Sequence, residues 1–404
     1  MQEKTIIVGL DIGTSKVACI VAEVSADKQL TILGIGTHPS NGLRRGMIIN
    51  PEKTVSSIKM AVQEAELMTD VDIRQVSVGI SGAHIQGLNS HGVVAIKSQS
   101  VTQDDIHRVI ESAQAWHLPA NQKVLHIIPK EYKIDLQENI SDPLGMYGVR
   151  LETRVHIVAA DMYAVQNLIN CCNRCDLHVS SIILEQIASS EAVLSQDEKD
   201  IGVLLVDIGG GTTDLAMFID GAIAYTTVIP VGGDHFTHDL LAGLSTSFDV
   251  AENLKKKYGC CFVECVSPDE MVEVPQVGGR PAQTVPRQIM AQILEPRVNE
   301  LFTLIQDKIV ESGYQKCLIA GLAFTGGSSL LDGLLDLADE TFDLPVRLAR
   351  PLDVDGLIDV VSSPIFSTGV GLLKYTSQHS ISYAIHHNTI FRKYWALWQK
   401  RLGG

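Results

Sequence analysis

Gly202-Val203-Leu204-Leu205-Val206 is an apolar run that ends in the turn Asp207-Ile208-Gly209-Gly210-Gly211-Thr212-Thr213-Asp214, and Leu215 to Ile219 returns from it. Two apolar runs around such a turn read as a β-hairpin. Three consecutive glycines let main-chain N–H groups come close to an anion, and Thr212 and Thr213 add hydroxyl donors. The unit also occurs at the start of the chain, where Thr5 to Leu10 turns at Asp11-Ile12-Gly13-Thr14, with Ser15 and Lys16 beside it, and returns as Val17 to Val24. A third strand follows each copy, Leu30 to Gly36 in the first and Ala222 to Pro230 in the second. The two aspartates, Asp11 and Asp207, lie 196 positions apart. A repeat of half-chain period predicts two related lobes, because solenoid periods are far shorter. Either turn alone reads more readily as an ordinary glycine-rich hairpin; two copies read as a clamp.

The chemistry expected of that clamp follows from its residues. An aspartate at the mouth of each turn would repel a phosphate unless a cation stood between them. Magnesium suits the role, since it keeps several waters and takes one or two carboxylates plus phosphate oxygens. Asp11 and Asp207 are therefore the expected magnesium residues, holding the ion through water; Lys16 supplies a point charge for a β- or γ-phosphate. Phe324-Thr325-Gly326-Gly327-Ser328-Ser329 is a third glycine turn, after an apolar strand and ahead of an expected helix from Leu330 to Ala338, so its amides could meet a ribose or phosphate. Neither the Walker pattern G-x-x-x-x-G-K-[ST] nor G-x-G-x-x-G occurs.

Composition bounds the alternatives. The chain has 404 residues, 45% hydrophobic and 20% charged, enough for two to four units with buried cores. Its 32 Lys and Arg against 47 Asp and Glu give a net charge of −15, which argues against nucleic acid as a partner. No apolar run is long enough to span a bilayer, and the first thirty residues lack a signal-peptide pattern, so a cytoplasmic chain is expected. Its 8 cysteines should then be free thiols. Cys171, Cys172 and Cys175 with Cys260, Cys261 and Cys265 offer thiolates for zinc, but the first group lies in an apolar helical stretch and the second lacks regular ligand spacing. Buried thiols are the expected outcome.

Helical sequence follows each hairpin unit: Glu52 to Met68 in the first half, His235 to Leu244 and Val250 to Tyr258 in the second. Between the copies, Gly82 to Asp161 reads as an inserted domain, with strands at Val93 to Lys97, Val124 to Ile128 and Val155 to Ala159 and a helix from Gln103 to Ala115. A second insertion is expected from Thr237 to about Glu300. After Tyr375 the sequence turns polar, predicting a linker ahead of one last helix. In that tail, Ile390, Phe391, Tyr394, Trp395, Leu397, Trp398 and Leu402 fall within an arc of about 160°, with Arg392, Lys393 and Lys400 on the other side. Two tryptophans and several cations on a short amphipathic helix describe an interfacial anchor for an anionic phospholipid membrane. Thirteen residues reach only about 20 Å, so the helix would lie on the membrane.

Asp11-Ile12-Gly13-Thr14, Asp207 to Thr212 and Thr325-Gly326-Gly327 resemble the two phosphate motifs and the adenosine motif of the actin/Hsp70/sugar-kinase superfamily. Within it, the chain is similar to the FtsA family of bacterial cell division, a likeness also carried by Val124-Leu125-His126-Ile127-Ile128-Pro129, Glu185 to Ser190, Val274 to Pro281, Leu294-Glu295-Pro296-Arg297 and Ser367 to Leu373. The resemblance implies an α/β, duplicated actin-like ATPase fold, with two lobes around a cleft for ATP and Mg and a 1C subdomain in place of 1B. The implied division is 1A at 1–82, 161–194 and 356–376; 1C at 83–160; 2A at 195–236 and 301–355; 2B at 237–300; a linker at 377–388; and a membrane-targeting helix at 389–404. It adds Glu252 and Lys255 to a nucleotide set of Asp11, Gly13, Thr14, Ser15, Lys16, Gly209, Gly210, Gly211, Thr212, Thr213, Gly326, Gly327 and Ser328; the plainer reading of Glu252 and Lys255 is a helical i, i+3 ion pair. The adenosine turn reads T-G-G-S-S here, where the family has T-G-G-G-A or T-G-G-A-A.

The resemblance further implies a filament-forming adaptor at the division site, on the cytoplasmic face of the inner membrane, that ties the tubulin-like protein FtsZ to it and meets other division proteins. Arg297 and Glu300 are the residues expected to receive the FtsZ C-terminal peptide; Arg297 also reads as a plain helix-surface charge. The competing class is a catalytic ATPase or sugar-kinase-like phosphotransferase on the same fold. Turnover would need a positioned base, which Asp11 or Asp207 supplies only if magnesium does not fully engage it.

Overall fold

The computed structural model describes residues 5–114, 119 and 121–385, with side chains described through residue 379. In the first half, β1 (Thr5–Ile12), β2 (Lys16–Val24) and β3 (Leu30–Pro39) form an antiparallel meander. A small hairpin, β4 (Leu43–Arg44) and β5 (Met47–Ile48), leads to α1 (Pro51–Thr69) and β6 (Gln75–Ile80), which lies parallel to β1. Asn50 starts α1 by accepting the Lys53 N–H, with proline at the first helical position, and Asp70 in a left-handed conformation ends it. Its buried Val55, Ile58, Ala61 and Ala65 pack on β3 and β2.

The insertion comes next: β7 (Ile85–Ala95), α2 (Gln103–Gln114), β8 (Gln122–Ile134), β9 (Gln137–Ile140) and β10 (Arg150–Asp161). They form a sheet in the order β7-β10-β8-β9, with α2 packed on β7 and β10. Strand β7 starts earlier than the sequence predicts because Asn89 and His91 interrupt the apolar alternation. Both are occupied: His91 pairs with Glu152 at 2.9 Å and Asn89 with His156 at 2.8 Å. The chain then returns through α3 (Met162–Asn173), β11 (His178–Leu184) and α4 (Glu185–Val193) to complete the first lobe.

After α5 (Gln196–Ile201), the meander repeats as β12 (Val203–Ile208), β13 (Thr213–Ile219) and β14 (Ala222–Ile229). Helices α6 (Gly233–Leu244) and α7 (Phe248–Tyr258), the hairpin β15 (Met271–Val274) and β16 (Gln283–Pro286), and the long α8 (Arg287–Ser312) follow. Strand β17 (Gly321–Thr325), α9 (Leu334–Thr341) and β18 (Val346–Leu348) finish the second lobe. The chain then crosses back to the first through β19 (Asp355–Gly356), α10 (Ile358–Val361) and α11 (Ser367–Ile385). The sheets run β11-β6-β1-β2-β3-β19 and β14-β13-β12-β17-β18. In each, the first strand of a hairpin pairs antiparallel with its partner and parallel with a later strand. The duplication expected from two glycine turns is thus present in the topology.

Two expectations are corrected. The polar segment read as a linker from residue 377 continues α11 to Ile385. No glycine or proline interrupts it, and its hydroxyls bond within the helix: Thr376 Oγ1 donates to the Leu372 carbonyl and Ser377 Oγ to that of Lys374. The helix expected from Leu330 begins only at Leu334; a single 3₁₀ turn spans Gly327–Leu330, and Gly333 sits at φ 75° between the two. The residues expected to meet the membrane, from Ile390 to Lys400, lie outside the described residues. Among the described ones, no helix is long and apolar enough to cross a membrane.

The insertion also touches the second lobe. His156 on β10 lies 2.9 Å from Thr226 Oγ1 on β14, Asn89 donates to the Ala224 carbonyl at 3.0 Å, and Lys130 reaches the Tyr314 hydroxyl at 3.1 Å. Burial holds the His156 ring near a pKa of about 4, so it is neutral at pH 7 and can donate to Asn89 while accepting from Thr226. Within the first lobe, α11 packs so closely on α4 that a Cβ on Gly371 would meet the Ala188 carbonyl oxygen at 1.7 Å. Gly371→Ala should therefore force the helices apart and lower stability by about 2 kcal/mol. Chemical denaturation would check this, and an unchanged midpoint would contradict it.

Candidate functional site

The two glycine turns face each other. A Cβ on Gly210 would lie 1.8 Å from Ser15 Oγ, and one on Gly211 would lie 2.6 Å from Thr14 Oγ1. Only glycine permits that approach, so the turns sit in contact across the cleft. Within each turn the chain closes in the same way: Gly13 N–H donates to the Lys16 carbonyl and Gly209 N–H to the Thr212 carbonyl, both at 2.9 Å.

Asp11 and Asp207 are buried at the ends of β1 and β12, as the hairpins dictate. Lys16 Nζ donates to Asp11 Oδ2 at 2.8 Å. Asp207 Oδ2 accepts from Ser189 at 2.6 Å and from Thr368 at 3.4 Å, so α4 and α11 both reach the cleft floor. Burial raises the Asp207 carboxyl to about 6, with Asp11 adding repulsion and Ser189 and Lys16 opposing it. Asp214, one strand over, accepts from Ser81 at 2.5 Å and Gln186 at 2.9 Å, yet burial takes it up to about 7. Glu185 is pushed well above the usual carboxylate range by burial and by Asp11, Asp214 and Asp207.

Four carboxyl groups thus share one poorly solvated slot, an arrangement that a bound dication relieves. Their hard oxygens fit magnesium. Among the described residues no three carboxylate, imidazole or thiol groups converge as a metal cage, so phosphate and water oxygens would have to complete the shell. The cysteines belong elsewhere: Cys171 and Cys172 are buried in the first core, Cys260 and Cys261 in the second lobe, and burial raises each thiol, Cys175 to about 11. Such thiols are poor ligands.

The third turn closes one end of the slot. Gly326, at φ 84°, packs against Asp207: a Cβ there would meet Asp207 Oδ1 at 2.3 Å. Because the left-handed residue is Gly326, Ser328 fits the following 3₁₀ turn without strain and donates to the Gly209 carbonyl at 3.0 Å. Lys255 and Glu252 do form the i, i+3 pair, at 2.7 Å, but they are not a free surface pair. Lys255 also donates to the Gly233 carbonyl at 2.9 Å and Thr237 Oγ1 at 2.8 Å, and a Cβ on Gly233 would meet Ser328 Oγ at 2.3 Å. The second glycine turn, the third turn and α7 are therefore brought together. Arg297 and Glu300 lie apart from this slot, on α8. Asp239 holds the Arg297 guanidinium through two bonds of 2.6 and 3.1 Å, and Glu300 takes a third N–H.

Several cleft residues are silent in the sequence. Ser81, Gln186, Ser189 and Thr368 arrive from distant segments, and Asp214, which closes the second turn, is not among the expected site residues. Only the polar positions Glu185, Gln186, Ser189, Ser190 and Glu191, set among Ile187, Ala188, Ala192 and Val193, could have singled out α4.

This two-lobed architecture is the actin-like ATPase fold. The PilM–PilN type IV pilus biogenesis complex superimposes at a TM-score of 0.67 with 17% identity, over 92% of this chain and 98% of that one. MreB5 of Spiroplasma citri bound to AMPPNP does so at 0.55 and 16%, over 95% and 100%. Residues 204–371 match the family described as cell division protein FtsA, and residues 82–159 match the SHS2 domain inserted in FtsA. The cell division protein FtsA of Pseudomonas aeruginosa is 51% identical over 378 residues, 94% of this chain and 91% of that protein. The chain belongs to the FtsA family of cell division proteins.

The raised carboxyls carry a pH signature. Between about pH 4 and pH 7, folded Asp207 and Asp214 hold protons that the unfolded chain has released, so stability falls as pH rises through that window and levels off above it. Asp214→Asn should raise the melting temperature of the ligand-free protein at pH 7.5 by a few degrees, with the gain shrinking toward pH 4.5. Thermal melts across that range check it; a gain independent of pH would contradict it.

Proposed function

We propose that this protein binds ATP with Mg²⁺ between its two glycine turns, polymerises, and anchors the FtsZ ring to the cytoplasmic face of the inner membrane at the division site. The observation that carries the nucleotide reading is the contact of Gly210 with Ser15 and of Gly211 with Thr14, which gives one slot two sets of phosphate-directed amides and hydroxyls. Asp11 and Asp207 would hold the metal, Lys16 the phosphates, and Glu252, Lys255 and Ser328 the nucleoside end. When bound, Mg²⁺ would neutralise phosphate charge; the chain's own donors would orient the phosphates, and Ser189 and Thr368 would fix the Asp207 carboxylate. The AMPPNP held by the MreB5 relative in fold supports the same assignment.

In this reading the insertion is subdomain 1C, α6 to the start of α8 is subdomain 2B, and residues 389–404 are the membrane-targeting helix. The FtsZ C-terminal peptide would dock near Arg297 and Glu300, with a peptide carboxylate displacing Glu300 from the guanidinium. A second reading, an ATPase or phosphotransferase, draws on Asp214: its raised carboxyl and the Gln186 amide sit in the same slot and could orient a water.

Asp207→Ala should weaken Mg²⁺–ATP binding at least tenfold in isothermal titration calorimetry; full retention would remove the assignment. Trp395→Glu with Trp398→Glu should abolish co-sedimentation with anionic vesicles, and persistent sedimentation would count against the anchor. Deleting residues 391–404 separates the two readings, since an adaptor should leave the vesicles and lose its function in cells whereas a soluble phosphotransferase should keep its activity.

A further inference from the structure

The β4–β5 hairpin is wedged between the lobes. Its two-residue turn is Arg45-Gly46, at φ 51° and 73°, with Leu43 opposite Ile48 and Arg44 opposite Met47. A non-glycine residue in this left-handed conformation is unfavourable and must be held by its surroundings. The hold is visible. Gly46 N–H donates to Thr14 Oγ1 at 3.2 Å, and a Cβ on Gly46 would meet the Ser81 carbonyl oxygen at 2.7 Å. From the other lobe, a Cβ on Gly211 would lie 3.0 Å from both Cα and N of Arg45. The turn therefore touches both phosphate-directed loops, and it leaves the Arg45 side chain exposed at the edge of the slot.

Across the cleft the Arg45 guanidinium meets His235, the third residue of α6, with Arg45 NH2 3.4 Å from His235 Nε2. His235 Nδ1 already accepts the Gly232 N–H at 3.2 Å. A neutral imidazole has one acceptor nitrogen, so with Nδ1 accepting, the proton is on Nε2. Burial, with the Arg45 and Arg297 charges adding to it, keeps the ring below its ordinary pKa. Two donors, one from each lobe, thus point at each other with no acceptor shared between them. The start of α6 rests on the second glycine turn, since a Cβ on Gly232 would meet the Gly209 and Gly210 carbonyl oxygens at 2.8 Å. The Asp234 carboxylate faces that glycine turn, 3.4 Å from where a Gly210 Cβ would lie.

We infer that Arg45 and His235 form a clamp for the terminal phosphate of a nucleoside triphosphate: an oxygen of that group accepts from the guanidinium and from His235 Nε2–H and so draws the lobes together. The inference rests on the nucleotide reading above and adds to it the discrimination of triphosphate from diphosphate. A diphosphate leaves the two donors facing each other; a triphosphate supplies the acceptor both lack. A charge-assisted bond to phosphate is the strong kind, and its loss should be specific to the ligand that reaches it.

The test is calorimetric titration of the full chain with Mg²⁺–ATP and Mg²⁺–ADP, comparing wild type, Arg45→Gln and His235→Gln. The Gln at 235 can still reach the Gly232 N–H as a capping partner, so it separates loss of the imidazole from loss of the helix start. Wild type should prefer ATP, and each variant should lose about tenfold in ATP affinity while holding ADP affinity within about twofold. The clamp is overturned if wild type binds ATP and ADP alike, if either variant keeps the wild-type ratio, or if ATP and ADP weaken equally. Wild type that binds neither nucleotide overturns the nucleotide reading itself, and the clamp with it.

Discussion

Contact between two backbone turns that have no room for side chains governs this structure. Gly210 against Ser15 and Gly211 against Thr14 bring the two hairpins to one slot, and with them Asp11, Asp207, Asp214 and Glu185. Burying four carboxyl groups together is electrostatically unfavourable, because each is cut off from water and repelled by its neighbours. The chain answers in part with Lys16, Ser81, Gln186, Ser189 and Thr368, each of which donates to one of the aspartates. Asp207, Asp214 and Glu185 nevertheless hold their protons more tightly than free carboxyls do. A slot organised in this way is complementary to a bound cation and its counter-anion, the condition expected of a site in which stability is given up for function.

The slot is also where the distant parts of the molecule meet. Helix α4 brings Ser189 to Asp207 and Gln186 to Asp214; α11 brings Thr368 to Asp207 and Ser367 to Thr325. The two helices pack on each other through Gly371, so a movement of one is felt by the other. The inserted unit joins the same network by another route. His126 on β8 accepts the Leu184 N–H, one residue before Glu185, at 3.0 Å, and its ring meets Tyr375 on α11 edge-on. Through His156 and Asn89 the same unit reaches β14 of the second lobe. These contacts are geometric links between the cleft, the insertion and the helix that leads to the C-terminal tail, and they give any change in lobe separation a physical path outward.

Much of this was legible in the sequence because a glycine turn between apolar strands is a local signal. The hairpins at Asp11 and Asp207, the half-chain repeat, and the helices of both lobes follow from neighbours a few residues apart. What stayed hidden is what depends on non-local pairing. Polar Asn89 and His91 conceal β7 because their partners lie on β10. The hydroxyls of Thr376 and Ser377 resemble a linker until their carbonyl partners one helical turn back are seen. Arg45 sits in an unremarkable basic pair, and nothing local indicates that it meets a histidine 190 residues later. How the third turn accepts Ser328 is likewise non-obvious locally: the left-handed residue is Gly326, two positions earlier.

Hydrogen exchange at the backbone of the two turns measures the shared slot most directly, because the amides at their tips, Thr14 and Ser15 in one and Gly210 and Gly211 in the other, are the groups that would bind phosphate. Titrating the full chain with Mg²⁺–ATP should slow exchange in both segments together, with the same midpoint. Protection of one segment alone, or of neither, would contradict the account.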